Sequence, residues 1–242
     1  MSEWSPASSQ GGVKRTNREF VNVLVTGGAA GLGAAVVEAV AADGGKPYVL
    51  DRVAVKDAPY VQVDLADTRA AERATVEIAT LAGGLDGIVT AAGIDMPGRL
   101  ADIAAPDWER VIAVDLLAPA AVIRAALPYL NPGAHIVTVA STLGMKAVSD
   151  ATAYCAAKFG MVGFTRALAA ELAGRYGVTL LVPGGMATKF FDGRSEKYKP
   201  GPDAVLNDPR DVARTVLFAL SQPPGCAIRE MVVCPDTESS YP

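Results

Sequence analysis

The sequence predicts an α/β domain built on a doubly wound parallel sheet, and three observations carry that expectation. Short apolar runs rich in Val, Ile and Leu alternate along the chain with longer, Ala-rich stretches of helical character. The short runs are continuously apolar, as strands covered by helices on both faces require. No internal repeat or linker interrupts the pattern, so its repeated strand–helix–strand order calls for one sheet in one domain. With 242 residues, 50% of them hydrophobic and 20% charged, the chain can bury a core of that size.

Met1 to Glu19 is polar, carries Lys14, Arg15 and Arg18, and lacks the apolar stretch of a signal peptide. It reads as a flexible, solvated tail, with the domain running from Phe20 to Pro242. Phe20 to Val25 is the first expected strand, followed by a glycine-rich turn and a helix through about Asp43. Pro47 to Leu50 and Tyr60 to Val63 are the next strands. A helix is expected from Asp67 to Leu81 and a strand from Gly87 to Ala91. Pro106 to about Leu130 reads as one helix: Pro106 suits a first turn, and Pro119 predicts a kink. Further on come a strand at His135 to Ala140, a helix at Thr152 to Tyr176 and a strand at Val178 to Val182. A helix from Pro209 to Ser221 and a strand from Met231 to Cys234 close the domain.

Composition excludes several function classes. The 22 basic and 26 acidic residues give a net charge of −4 with no block of one sign, so no basic face for nucleic acid is expected. Cys155, Cys226 and Cys234 are too few and too scattered for a disulfide framework. With His135 the single histidine, no metal-ligand spacing exists either. A reduced, cytoplasmic setting is the simplest expectation. No apolar run reaches the roughly 18 residues that span a bilayer, so no membrane partner is expected.

Between the first strand and first helix stands Thr26-Gly27-Gly28-Ala29-Ala30-Gly31-Leu32-Gly33. Glycines at 27, 31 and 33 permit a tight turn, close approach of backbone N–H groups to a pyrophosphate, and close helix–strand packing. The helix that follows aims its positive dipole end at the same anion. Asp51 lies 18 residues beyond Gly33, at the end of the second strand. A carboxylate there accepts from the ribose hydroxyls of NAD. Arg52 offers a guanidinium to the extra phosphate of NADP instead. Ala29 and Ala30 add no second cation, and Asp51 repels that phosphate, so NAD is favoured over NADP.

Tyr154 and Lys158 stand four apart on an expected helix and share a face. Ser141 ends a strand at the carboxyl edge of the sheet, where open α/β sheets bind ligands. Together with TGGAAGLG, Asp51, Asp64-Leu65, Ala91-Ala92-Gly93, Pro183-Gly184 and Thr188, these residues resemble the short-chain dehydrogenase/reductase family in its compact form. The resemblance runs from Phe20 essentially to the C-terminus. It implies a single-domain Rossmann fold and reversible hydride transfer between a nicotinamide cofactor and a carbonyl or alcohol. It further implies Tyr154 as general acid/base and Ser141 as the hydrogen-bond partner of the substrate oxygen. Lys158, together with the positive charge of the nicotinamide, would lower the phenol pKa; Lys158 would also bind the nicotinamide ribose, and Thr188 would hold the carboxamide. The dinucleotide would lie along Gly27, Gly31, Leu32, Gly33, Asp51, Arg52, Asp64, Leu65, Ala92, Gly93, Pro183 and Gly184.

Two positions depart from the family pattern. Asn-Ala-Gly is replaced by Ala91-Ala92-Gly93, which removes a local brace or an adenosine-side hydrogen bond. The Asn that anchors an active-site water behind the lysine is replaced by Asp115, which is expected to substitute for it in the proton relay. His135, at a strand start, and Cys155, turned about 100° from Tyr154, are read as structural. The small residues Ala153, Ala156, Ala157, Gly160 and Gly163 suit packing on the sheet; the resemblance implies a helix-pair interface in a homodimer or homotetramer. Ile94 to Gly98, Thr142 to Val148 and Gly185 to Tyr198 should line the substrate pocket. Met96, Leu143, Met145, Met186, Phe190 and Phe191 then favour an apolar ketone or secondary alcohol, with Gly193 to Gly201 as a mobile lid. Lys146 and Lys189 offer cations to an acidic handle. Two rivals stand beside this reading: a nucleotide-binding regulatory or scaffold protein without turnover, which only Asp115 supports, and a sugar-nucleotide epimerase or dehydratase, for whose substrate domain the C-terminal part leaves little room.

Overall fold

A computed structural model describes residues 22–238. The expected tail and the outermost residues of the expected domain lie outside that range. Among the described residues the strands are β1 (Asn22–Thr26), β2 (Lys46–Asp51), β3 (Tyr60–Gln62), β4 (Leu85–Thr90), β5 (Leu130–Val139), β6 (Gly177–Pro183) and β7 (Glu230–Val233). They form one sheet in the order β3-β2-β1-β4-β5-β6-β7, every neighbouring pair parallel. The helices are α1 (Gly31–Ala42), α2 (Thr68–Ala82), α3 (Ala105–Ile112), α4 (Ala118–Ala126), α5 (Thr152–Glu171) and α6 (Pro209–Leu220).

Successive residues of a strand point to opposite faces, so each central strand feeds two cores. On one face Val23, Val25, Val49 and Val89 meet Val36 and Val40 of α1 and Val212 and Val216 of α6. On the other, Leu24, Leu50, Ile88 and Ile136 meet Ile78 of α2, Val122 and Ile123 of α4 and Leu168 of α5. This two-sided burial is why the strands read as unbroken apolar runs. Helix starts are marked by side chains: Asp67 accepts from the N–H groups of Arg69 and Ala70, and Asp208 from that of Arg210.

The structure corrects three expectations. The stretch Pro106 to Leu130 is not one kinked helix but α3, a π-helical turn over Ala113–Leu117, α4 and a 3-10 turn over Leu127–Tyr129. Pro119 explains the break, because it cannot donate to the carbonyl four residues back and its ring clashes there. The chain takes up an extra residue, and the Ala118 N–H reaches back five positions to Ala113. By length and composition the whole stretch Ala105–Tyr129 is apolar enough to cross a membrane. In this fold, however, α4 buries Ala118, Ala121, Val122, Ile123 and Ala126. Secondly, α5 stops at Glu171 instead of Tyr176; Gly174, at φ +78°, lies in the turn that ends it. Thirdly, β5 begins at Leu130, five residues before the expected start, with a register shift across Leu85/Gly87.

All carboxyl ends of the strands lie at one edge. The chain leaves β1 toward β2 and leaves β4 toward β5, so the segments after β1 and β4 diverge and open a crevice. Leu24, at the centre of β1, is 0% exposed. Leu24→Ala should therefore cost about 2–5 kcal/mol in denaturant unfolding, and a loss under about 1 kcal/mol would show that the central strand is not tightly packed.

Candidate active site

The crevice is a cleft of about 1550 Å³ that runs from the β1–α1 turn past the ends of β2, β4, β5 and β6. Its floor at one end is the glycine turn. Gly27 has φ +72°, and a Cβ there would lie 2.7 Å from the Ala92 backbone; at Gly33 a Cβ would lie 2.1 Å from the Gly27 carbonyl oxygen. No side chain fits at either position. Thr188, on the far wall, closes toward Gly31. A concave backbone surface at a helix N-terminus, with space beyond it, fits the phosphates of a dinucleotide.

Asp51 ends β2 and is 9% exposed. Its Oδ2 accepts from the Ala29 N–H and its Oδ1 from the Val53 N–H, both at 2.9 Å. Arg52 lines the cleft and is exposed. Leu65 is buried at the cleft wall, whereas Asp64 is exposed and paired with Arg110 at 2.8 Å. The Ala66 N–H, then Arg110, hold the Asp64 carboxyl below its usual range. Ala91 has no polar side chain to brace this segment; the neighbouring Ala92 N–H donates to the Thr26 hydroxyl at 3.1 Å. Ala92, Gly93, Pro183 and Gly184 all line the cleft.

At the other end the structure brings Ser141, Tyr154, Lys158 and Asp115 together. Ser141 follows β5, and its Oγ accepts from the Leu143 N–H at 3.1 Å, which starts a short 3-10 turn. Tyr154 and Lys158 lie one turn apart on α5, with Nζ 5.4 Å from the phenol ring centre. Lys158 Nζ donates to the Val139 carbonyl at 3.2 Å and lies 3.1 Å from Asp115 Oδ2. Asp115 sits in the π-helical turn, 1% exposed, and its Oδ1 accepts from the Ile94 N–H at 2.8 Å. Asp115 therefore meets the lysine directly, where a water-mediated link was expected. Gly93 makes room for this pair: a Cβ there would stand 3.2 Å from Asp115 Oδ2.

These groups set one another's charge. Burial pulls the Lys158 ammonium down, but the Asp115 carboxylate, with smaller help from the Tyr154 oxygen and Asp95, outweighs it and holds Lys158 above its ordinary value. Burial pushes Asp115 up, against Lys158 and the Ile94 N–H. In the protein by itself, burial, with Asp115 and Asp95, pushes the Tyr154 phenol above its ordinary value, although Lys158 and a hydrogen bond with Ser141 pull it down. Lys158 alone does not make a low phenol pKa.

Met96, Leu143, Met186, Phe190, Phe191 and Lys189 line the cleft as the sequence suggests. Met145 does not; it packs with Met161 and Val162 in the core. The segment expected to form a lid makes contacts to the body of the fold. Tyr198 donates to Asp150 at 2.8 Å, Lys197 pairs with the same carboxylate, and Arg194 pairs with Asp95. Sequence reasoning missed Asp95 and Arg194, because neither belongs to a spaced motif. His135 is buried in β5 against Gly177, away from the cleft. Among the described residues no cluster of His, Cys, Asp and Glu could hold a metal.

Comparisons with known proteins agree with this fold. The family model described as short chain dehydrogenase matches residues 21–199. The chain is 31% identical over 219 residues to the 2,5-dichloro-2,5-cyclohexadiene-1,4-diol dehydrogenase of Sphingobium indicum, covering 82% of this chain and 88% of that one. A short-chain dehydrogenase from Burkholderia cenocepacia, solved in complex with NADP, is 28% identical with a TM-score of 0.77, covering 88% of this chain and 96% of that one. The ligand-free aldohexose dehydrogenase of Thermoplasma acidophilum has the same fold at 21% identity, with a TM-score of 0.79 over 89% of this chain and 92% of its own.

Removing Asp115 would strand a buried ammonium and an N–H. Asp115→Ala is expected to cost about 3–5 kcal/mol in denaturant unfolding, the usual penalty for breaking a buried pair. Asp115→Asn keeps an acceptor for Ile94 and should lose measurably less. Equal losses in the two variants would show that the Ile94 hydrogen bond contributes nothing.

Proposed function

The chain belongs to the short-chain dehydrogenase family, and from that premise we propose that it interconverts a secondary alcohol and a ketone on a largely apolar small molecule. The observation that carries the reading is the convergence of Ser141, Tyr154 and Lys158 at the end of a cleft whose other end is a glycine-rich turn with no room for a side chain at Gly27 or Gly33. When bound, a nicotinamide cofactor supplies or accepts the hydride. The chain's own residues handle the proton and the orientation. Ser141 holds the substrate oxygen toward the phenol of Tyr154. Tyr154 gives a proton to that oxygen in reduction and takes it in oxidation. Lys158, kept charged by Asp115, favours the phenolate and offers donors to a ribose.

Asp51 supports NAD as the preferred dinucleotide, since a second phosphate at the end of β2 would meet its carboxylate at close range. The relative solved with NADP leaves the alternative cofactor in play for the family. Ala153 and Ala157 are buried within the chain, whereas Ala156 and Gly163 are exposed; we further propose a homodimer or homotetramer joined through that exposed side of α5, acting in the cytoplasm.

Tyr154→Phe should lower turnover by about 10²–10⁴ while leaving dinucleotide binding nearly intact, because only the hydroxyl is lost. The test follows reduced-nicotinamide absorbance against a panel of ketones and alcohols, with cofactor binding titrated separately. A variant with near wild-type turnover would remove Tyr154 from the reaction. Asp51→Ala should weaken NAD binding and improve NADP binding through Arg52, measured as the ratio of the two dissociation constants. Tighter binding of NADP by the unaltered protein would overturn the preference.

A further inference from the structure

Asp95 and Arg194 take no part in the proton transfer described above, yet both line the same cleft. Asp95 follows Ile94 in the segment after β4, and Arg194 follows the short turn that carries Phe190 and Phe191. Their side chains are 6% and 11% exposed, with Arg194 Nη2 3.1 Å from Asp95 Oδ2. The guanidinium carbon lies 4.7 Å from the ring centre of Phe190 and 4.8 Å from that of Phe191. The rings attract the cation but accept no conventional hydrogen bond from it.

Polar capacity is left over at this point. Asp95 Oδ1 accepts no hydrogen bond among the described residues, and Arg194 Nε and Nη2 donate none. Buried polar atoms rarely remain so without a ligand or water to meet them. The pair also stands near the reacting end: the Phe190 ring under the Arg194 guanidinium packs 5.8 Å from the Tyr154 ring, and Ile94, the residue before Asp95, donates its N–H to Asp115.

The chemistry of a matching group follows from the two partners. An acceptor and a donor stand side by side with no net charge. A carboxylate would compete with Asp95 for the guanidinium and face a second anion in Asp115. An ammonium would compete with Arg194. A neutral hydroxyl both donates and accepts, and so meets both. We infer that the Asp95–Arg194 pair reads a second hydroxyl on a neutral substrate, which donates to Asp95 Oδ1 and accepts from the Arg194 guanidinium. The carbinol being oxidised sits against Tyr154 and Ser141, and the carbon skeleton against Met96, Leu143 and Met186. This inference rests on the oxidoreductase reading and narrows its substrate class to diols and the hydroxyketones they yield.

The test is a substrate panel on the unaltered protein with NAD and with NADP. It compares cyclohexanol with the positional isomers of cyclohexanediol and with the hydroxycyclohexanecarboxylates, and sec-butanol with the butanediols. At least one diol should exceed its mono-alcohol in kcat/KM by about tenfold or more, because a site built for a hydroxyl rejects the analogue that lacks it. The hydroxy acids should do no better than the mono-alcohols. In Asp95→Leu and Arg194→Met the diol-to-mono-alcohol ratio should fall toward one, and reading a ratio within each variant cancels any loss of folded protein. Equal use of diol and mono-alcohol by the unaltered protein overturns the inference alone, whether or not the variants fold. A hydroxy acid as best substrate also overturns it, and makes Arg194 a carboxylate receptor. Turnover of no alcohol with either dinucleotide removes the oxidoreductase reading and the inference with it.

Discussion

A lysine ammonium and a carboxylate 3.1 Å apart, both almost out of reach of water, set the constraint on which this cleft depends. Desolvating two charges is tolerable only if the geometry is good and the remaining polar atoms are met. Each neighbouring segment answers that demand. The segment after β4 supplies the Ile94 N–H and gives up a side chain at Gly93; the end of β5 supplies the Val139 carbonyl. The π-helical turn, taken up next to Pro119, carries Asp115 toward the lysine. The pair thus ties α5 to three other elements, and Tyr154, one turn before Lys158, is placed by the same ties.

The same arrangement decides what the phenol can do. Two anions, Asp115 and Asp95, stand near two cations, Lys158 and Arg194, so the charges largely cancel across the cleft. With burial pushing in the same direction as the anions, Tyr154 stays above its ordinary value. A phenol so held is protonated at neutral pH. In the proposed reaction, such a phenol gives a proton to a carbonyl oxygen. Taking one from an alcohol requires further positive charge beside it, which the protein does not itself provide.

Much of this was legible in the sequence, for identifiable reasons. Parallel strands covered on both faces leave unbroken apolar runs, so their order could be read, and the glycine turn, Ser141, Tyr154 and Lys158 stand at spacings set by local geometry. What was hidden depended on contacts between distant segments. Pro119 announced an irregularity, but where the extra residue would be absorbed depended on packing against α5. Gly174 stood in the sequence as a stop signal for α5 and was outweighed by the Ala-rich run before it. Leu143 and Met145 are equally apolar neighbours, yet the 3-10 turn started by Ser141 sends one to the cleft and the other to the core. Asp95 and Arg194 become a pair only when the fold brings their segments together.

Asp51 shows how closely recognition and architecture share one side chain. Both carboxylate oxygens already accept a backbone N–H, one of them from Ala29 inside the glycine turn. A carboxylate has about four lone-pair positions, so capacity remains for ribose hydroxyls. The charge proposed to exclude a second phosphate is therefore also the brace that shapes the surface for the pyrophosphate. Arg52, exposed beside it, has no such duty and is free to turn toward an added phosphate. The proposed selectivity at this end of the cleft then sets an anion held by two backbone N–H groups against an exposed cation. Because the anion is fixed by the turn it supports, removing its charge also loosens the turn, and the two effects reach the dinucleotide together.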